Sequence, residues 1–214
     1  MFKHLILSIT FVDIKHNMKK LTTLFVAVIA VALVAFKPIA PVTFKVDTQR
    51  SKIEWTGKKV TGQHTGTIKL ASGEVATNGK VPTGGKFAID MNSMDCTDLS
   101  GEAKGKLLGH LKSEDFFGTE KYPTAEFTAT KITPAGAGKV NVTGNIVIKG
   151  KTSVITFPAT YAVAGNNLTV TATDVKVDRT KHDIRYGSKS FFESIGDKAI
   201  DDEFLLNINL VATR

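Results

Sequence analysis

One stretch departs from the rest of the chain and decides how the fold is read: Leu107-Leu-Gly-His-Leu-Lys-Ser-Glu-Asp-Phe-Phe-Gly-Thr-Glu-Lys-Tyr-Pro-Thr-Ala-Glu-Phe127. It interrupts a sequence that otherwise alternates apolar and polar residues over short runs. It also concentrates six large apolar side chains around a Tyr-Pro corner. In a β-protein, so much apolar material beside one connection indicates that the segment covers something, either a packed core or a cavity for an apolar ligand.

The first half of this stretch predicts a helix. Its three leucines recur at helical spacing within residues 100–112, where Glu102 and Lys106 stand four apart as an exposed pair. Ser113 is then predicted to be the N-cap of a further helical turn, because two acidic residues follow it. Pro123 disfavours helix at the residue before it, so the chain is expected to become extended and to enter a strand.

Outside this stretch the dominant period from Val46 onward is two residues, which predicts strands with one apolar and one wet face. Gly and Asn clusters punctuate these runs as turns. About eight antiparallel strands of this kind must close or stack to hide their edges. The prediction is an all-β fold, an extended antiparallel eight-stranded up-and-down barrel with a short helical insert, whose interior can hold one small ligand. A β-sandwich is the structural alternative.

The N-terminal region is predicted to be a targeting segment. Met18-Lys-Lys precedes residues 21–36, a run of sixteen residues without a charge. We therefore expect a signal peptide over 1–36, with Met18 as an alternative start, a short linker over 37–45, and one barrel domain over 46–214. Cleavage would leave a periplasmic or secreted protein; an uncleaved membrane anchor is the alternative.

Net charge and cysteine content limit the classes of binding partner and the role of the cysteine. Residues 1–36 carry four lysines and one aspartate, so +5 of the formal net charge of +8 remains beyond them. The absence of any block of five basic residues argues against nucleic acid as a partner. Mild basicity suits transient contact with an anionic membrane surface, and a homodimer is left open. Cys96, the single cysteine, forms no internal disulfide and is expected to be a small buried filler.

Nothing in the sequence demands catalysis, so a non-enzymatic protein is predicted. The histidines His64, His110 and His182 show no metal-ligand spacing and are expected to be dispersed on the surface. No phosphate-binding loop or nucleophile elbow is present. The densest polar group, Arg179 with Asp183 and Arg185, is either a salt-bridged loop at the barrel mouth or a polar gate for a ligand head group.

The apolar stripe that faces inward is either core or the wall of a cavity. On the cavity interpretation, the insert over 101–127 shapes or covers one side, and Arg179 or Arg185 meets a ligand head group. The predicted ligand-binding residues are Trp55, Ile68, Phe87, Ile89, Met91, Leu108, Leu111, Phe116, Phe117, Phe127, Ile146, Ile148, Phe157, Tyr161 and Arg179.

These residues resemble the YceI family, bacterial polyisoprenoid-binding proteins with a lipocalin-like barrel. The resemblance spans roughly 46–210. It is carried by Asp47-Thr-Gln-Arg-Ser-Lys-Ile-Glu-Trp55, Gly66-Thr-Ile-Lys-Leu-Ala-Ser-Gly73, Leu108-Gly-His-Leu-Lys-Ser-Glu-Asp-Phe-Phe117, Tyr122-Pro-Thr-Ala-Glu-Phe127, Val142-Thr-Gly-Asn-Ile-Val-Ile-Lys-Gly150 and the Arg179 segment.

The resemblance implies an exported carrier that holds a long apolar ligand, such as a polyisoprenoid, an isoprenoid quinone or a fatty amide. It implies no catalytic residues and no metal, and we predict no cofactor. The rival functions are an envelope stress or interaction protein with a packed barrel and, less favoured, a hydrolase-type enzyme that uses the histidines.

Overall fold

The computed structural model describes residues 40–192 and 196–214; the predicted signal peptide over 1–36 lies outside them. Strands alternate with short connections, interrupted by one helix, α1, and by short 3-10 turns at Arg179–His182 and Gly196–Lys198. In chain order the elements are β1 Val42–Val46, β2 Lys52–Lys59, β3 Gly62–Thr77, β4 Pro82–Cys96, α1 Gly101–Lys112, β5 Thr124–Pro134, β6 Lys139–Ile148, β7 Lys151–Ala164, β8 Asn167–Asp178 and β9 Glu203–Thr213.

The strands form a closed antiparallel barrel. From β2 the hydrogen-bonded order runs through β9, β8, β7, β6, β5 and β4, and β4 pairs with β3, which returns to β2. The eight-stranded barrel with a helical insert predicted from the period of two is therefore confirmed. Closure removes the unpaired sheet edges that an open sheet of this kind would present.

The nine strands of the described residues fill eight barrel positions, because β1 and β2 share one position. Both lie between β3 and β9: β1 pairs where Val42 faces Thr77 and Val46 faces Ala212, and β2 pairs further along both neighbours. The predicted linker over 37–45 is thus wrong for its last four residues. Phe44 is fully buried and holds this short segment in the barrel.

The helix is confirmed at Gly101–Lys112, and Lys106 Nζ lies 2.7 Å from Glu102 Oε1. The predicted N-cap role of Ser113 is wrong: its carbonyl oxygen does accept from the Phe116 and Gly118 backbone N–H groups of the following turns, but its side chain caps the end of α1. Its backbone N–H and its hydroxyl both donate to the carbonyl oxygen of His110. A series of turns follows, which lets Phe116 enter the interior with only 6% of its surface exposed.

An apolar cluster fills the barrel end opposite α1. Phe44, Val75, Leu168 and Ala212 are buried together and join β1, β3, β8 and β9. We call this cluster the floor. In the described part of the chain, no helix is long and apolar enough to cross a membrane.

Candidate functional site

The barrel encloses a cavity of about 720 Å³. At the end near α1, which we call the mouth, the lining includes the exposed residues Lys58, Lys59, Thr61 and Lys198, so the cavity reaches the surface there. Along β3 the lining runs from His64 to Val75 in the floor. At about 3.3 Å per residue and a strand tilt of 35–45°, this distance is roughly 25–30 Å along the barrel axis. The space is therefore a long, narrow cavity.

Thirteen of the fifteen residues predicted as ligand-binding line this cavity. For all of them except Arg179, contact with a ligand stays a prediction. Their alternation in the strands, and the turns after α1, point them to the interior. They are Trp55, Ile68, Phe87, Ile89, Met91, Leu111, Phe116, Phe117, Phe127, Ile146, Ile148, Phe157 and Arg179.

Leu108 and Tyr161 do not line the cavity, and their predicted place on its wall is wrong. Leu108 packs half-buried against the core cluster, whereas its neighbours Leu107 and Leu111 on α1 reach the cavity. Tyr161 has the inward phase of β7 but lies too far along the strand, where it packs against the floor. Periodicity gives the direction of a side chain and not its depth along the barrel.

Sequence reasoning missed further lining residues that share the same inward phase. The largest group, four residues, lies on β9, and their alternation with Asn207 and Asn209 was a usable signal. The missed apolar residues include Ile53, Leu70, Met94, Ile155, Val170, Phe204, Leu206, Ile208 and Leu210.

Trp55 is held in the wall by hydrogen bonds at its polar edge. Its indole N–H lies 3.1 Å from the carbonyl oxygen of Asp95 and 3.3 Å from that of Thr67. A Cβ atom at Gly66 would stand 1.9 Å from the same Asp95 oxygen and 2.3 Å from the indole ring. Glycine at this position therefore allows the indole to lie flat against β3 while its apolar face lines the cavity.

Aromatic rings line part of the mouth. The imidazole of His110 on α1 packs edge-to-face on Phe116 at 5.1 Å and on Tyr186 at 4.4 Å. Phe117 meets the Phe204 ring at 6.1 Å. These contacts join the insert to the segment between β8 and β9. We call the five residues the aromatic cap, and each of them lines the cavity.

Arg179 is a structural residue, which corrects its predicted role as a head-group contact. Its guanidinium is buried and donates to four carbonyl oxygens. Nη1 donates to the carbonyls of Ile184 and Tyr186. Nε and Nη2 donate to the carbonyls of Asp201 and Ile200, and Nη2 also meets the Asp202 carboxylate at 3.5 Å. All five donors are used, so none remains for a ligand. Burial lowers the pKa of Arg179, and the nearby carboxylates reduce this shift because they favour the charged guanidinium.

Arg185, the other predicted head-group contact, is exposed and engaged elsewhere. Its guanidinium pairs with Asp183 at 2.9 Å and stacks over the Phe191 ring at 4.7 Å. The prediction of a salt-bridged loop in this segment is therefore closer to the structure than the prediction of a polar gate.

His182 lies in the interior, so its predicted surface position is wrong. Nδ1 is 2.8 Å from the Lys151 carbonyl oxygen, which can only accept, so Nδ1 carries the hydrogen. Nε2 then accepts from the Ser153 hydroxyl at 2.9 Å. Burial lowers the pKa of His182. The imidazole is therefore neutral and buried, and both of its nitrogens have hydrogen-bond partners.

His64, Asp98 and Cys96 form a polar group beside the mouth. The Asp98 carboxylate accepts from His64 Nδ1 at 2.8 Å, from the Thr65 backbone N–H at 2.8 Å and from the Cys96 thiol at 3.2 Å. Burial alone would raise the pKa of Asp98, but these hydrogen bonds lower it to about 2. Burial and the hydrogen bond to Asp98 raise the pKa of the Cys96 thiol. A buried thiol of this kind is a poor nucleophile.

A closed antiparallel barrel with one long apolar cavity defines the class of small β-barrels that can hold a ligand inside. Within that class, the description "YceI-like domain" fits residues 44–212. The chain belongs to the YceI family.

Relatives and solved structures agree with this assignment. A UPF0312 protein of Pseudomonas putida is 28% identical over 102 residues, 48% of this chain and 51% of that protein, so the chain spans about half the length of the curated relative it matches. Burkholderia cenocepacia BcnA has a TM-score of 0.65 at 27% identity, over 78% of this chain and 99% of BcnA.

A polyisoprenoid binding domain from Saccharophagus degradans, implicated in plant cell wall breakdown, has a similar fold. The TM-score is 0.60 at 17% identity, over 79% of this chain and 97% of that domain. At this identity the likeness concerns the fold.

Proposed function

We propose that this protein binds one long apolar molecule inside the barrel and serves as its carrier. The observation that supports this proposal is the cavity of about 720 Å³, lined mainly by aliphatic and aromatic side chains. Small-molecule sites are typically about 300–1,000 Å³ and mostly apolar. The narrow shape favours a chain over a compact ligand.

The cavity also argues against the packed-barrel alternative. Protein interiors are close-packed, and voids larger than a water molecule are few. A stress or interaction protein stabilised by a solid core gains nothing from an empty interior, since cavity lining loses its dispersion contacts. An apolar ligand would restore those contacts along the whole length of the barrel.

The ligand class that we propose is a polyisoprenoid, an isoprenoid quinone or a fatty amide. Burying about 400 Å² of apolar ligand surface contributes roughly 10 kcal/mol at 25 cal/mol per Å², from which the cost of ordering the ligand is subtracted. The ligand named for the Saccharophagus degradans domain belongs to this class. Direct catalysis is not part of the proposal, because both ring nitrogens of His182 are engaged in hydrogen bonds and Cys96 is buried.

Ligand entry is proposed to occur at the mouth during transient contact with a membrane surface. Large apolar side chains are exposed on this side of the barrel, among them Tyr186 and Phe191 at 49% and 45%, and Phe192 and Val60 at 52% each. Aromatic side chains of this kind partition into the interface between water and lipid. A homodimer through this surface is an alternative use of the same residues.

Export to the periplasm or the exterior is proposed from the sequence of residues 18–36, a basic start followed by an apolar run. A carrier of membrane-derived chains would meet its ligands there.

The test is ligand recovery and uptake. Native mass spectrometry of the purified protein, and titration with long-chain prenols and quinones, should reveal one bound chain per barrel. Ala159→Phe places a ring in the cavity, and Ala162→Phe places the same ring on the exposed face of β7. We expect the first variant to lose uptake and the second to keep it. Ligand-free protein without measurable uptake would contradict the proposal.

A further inference from the structure

Among the residues of β3 that line the cavity, one is polar and the others are apolar. Along this strand the inward positions are His64, Gly66, Ile68 and Leu70, in phase with one another. His64 lines the cavity near the mouth, and 29% of its side-chain surface is exposed. An imidazole in this position faces the proposed ligand.

A hydrogen bond to Asp98 fixes the orientation of the His64 imidazole. The Asp98 carboxylate accepts the Nδ1–H of His64 at 2.8 Å, and it is itself held by the Thr65 backbone N–H and the Cys96 thiol. A carboxylate hydrogen-bonded to one ring nitrogen selects the tautomer and the direction of the other nitrogen. In the neutral ring, Nε2 is therefore a hydrogen-bond acceptor.

The structure leaves Nε2 available and leaves room beside it. Among residues 40–192 and 196–214, none forms a hydrogen bond with His64 Nε2, whereas Nδ1 is paired with Asp98. Directly across the β2–β3 pair stands Gly57, which also lines the cavity. A Cβ atom at Gly57 would meet nothing within 4 Å, so the cavity is open at this point.

We propose that His64 Nε2 accepts a hydrogen bond from a hydroxyl on the head of the bound chain, with Asp98 as the positioning residue. The proposal rests on the carrier function above and specifies its ligand as a long-chain alcohol or hydroxylated ring. A pure hydrocarbon would cover Nε2 without pairing it, and an unpaired buried acceptor weakens binding. The hydroxyl end lies at the mouth and the apolar chain extends toward the floor.

The test compares geranylgeraniol with the hydrocarbon of the same chain that lacks the hydroxyl, and with geranylgeranyl phosphate. Wild-type protein should bind the alcohol most tightly. His64→Leu should weaken alcohol binding by about tenfold and leave hydrocarbon binding within about twofold. His64→Gln, which keeps a side-chain acceptor, should recover part of the loss, and Asp98→Asn should show a smaller loss of the same selectivity. Thermal unfolding of each variant verifies the fold.

Three outcomes would overturn the proposal. Equal losses for alcohol and hydrocarbon would make His64 a packing residue. Tightest binding of the phosphate, lost in His64→Leu, would identify an anionic head group instead of a hydroxyl. Failure of the wild-type protein to bind any of the three probes would overturn the carrier function as well, whereas the first two outcomes leave that function intact.

Discussion

The Phe127 ring lies directly over Gly144 on the neighbouring strand. A Cβ atom at position 144 would stand 2.4 Å from Cζ of Phe127 and 2.6 Å from the carbonyl oxygen of Thr128. A register shift between Ala129 and Lys131 lies beside this contact. Glycine in β6 therefore sets how far the Phe127 ring reaches into the cavity.

Gly144→Ala should lower the free energy of unfolding by about 1–3 kcal/mol, because the added methyl group meets a ring and a backbone oxygen that cannot both move away. Chemical denaturation measures this change. Gly105→Ala is the matched control, since a Cβ there meets nothing within 4 Å on an exposed position of α1, and it should be neutral or slightly stabilising. Equal stability of the two variants would contradict the contact.

Arg179→Met should destabilise the protein by at least about 3 kcal/mol, because the carbonyl oxygens that Arg179 binds would remain buried without donors. Hydrogen exchange should increase throughout the segment between β8 and β9. The same substitution at Arg185, whose side chain is 57% exposed, should cost no more than about 1 kcal/mol. Similar losses at both positions would remove the structural role assigned to Arg179.

His182 should make stability depend on pH. Its pKa is lowered by burial in the folded state, so the unfolded chain binds the proton more readily and stability falls as the pH drops below the ordinary histidine pKa of about 6.5. The free energy of unfolding should therefore decrease between about pH 6.5 and pH 5, above the range in which carboxylates titrate. His182→Gln should flatten this dependence, and an unchanged slope would point to another group.

Cys96 should resist alkylation in the native protein. The side chain is 1% exposed and its thiol pKa is raised, so both access and thiolate formation are limited. Iodoacetamide should modify it slowly at neutral pH and completely after denaturation in urea, as measured by intact mass. Rapid labelling of folded protein would show that the region around Asp98 opens readily.

Alternation in the sequence was sufficient to predict antiparallel strands with one wet face, because apolar and polar residues alternate in each of them. It favoured a barrel but left a β-sandwich as the alternative. It could not decide between a packed and a hollow interior, since Ile146 and Phe157 have the same inward phase in both cases. The volume of the interior depends on how many side chains meet across the barrel, which only the closed structure shows.

The polar contacts were less predictable for a related reason. Arg179 binds backbone carbonyls, which every residue type offers, so no partner residue marks the role in the sequence. His64 and Asp98 are separated by 34 positions, and only the pairing of β3 with β4 brings them together. β1 was missed because five residues are too few for a convincing period.

The shared position of β1 and β2 has a consequence for the order of folding. The floor unites Phe44 in β1 with Ala212 in β9, which is made much later in chain order. Until β9 is complete, its pairs with Lys45 and Val46 cannot form. The floor then lacks Ala212, and that end of the barrel is open. Such long-range closure is slow, so this end of the barrel becomes sealed only after β9 has been made and has paired with β1.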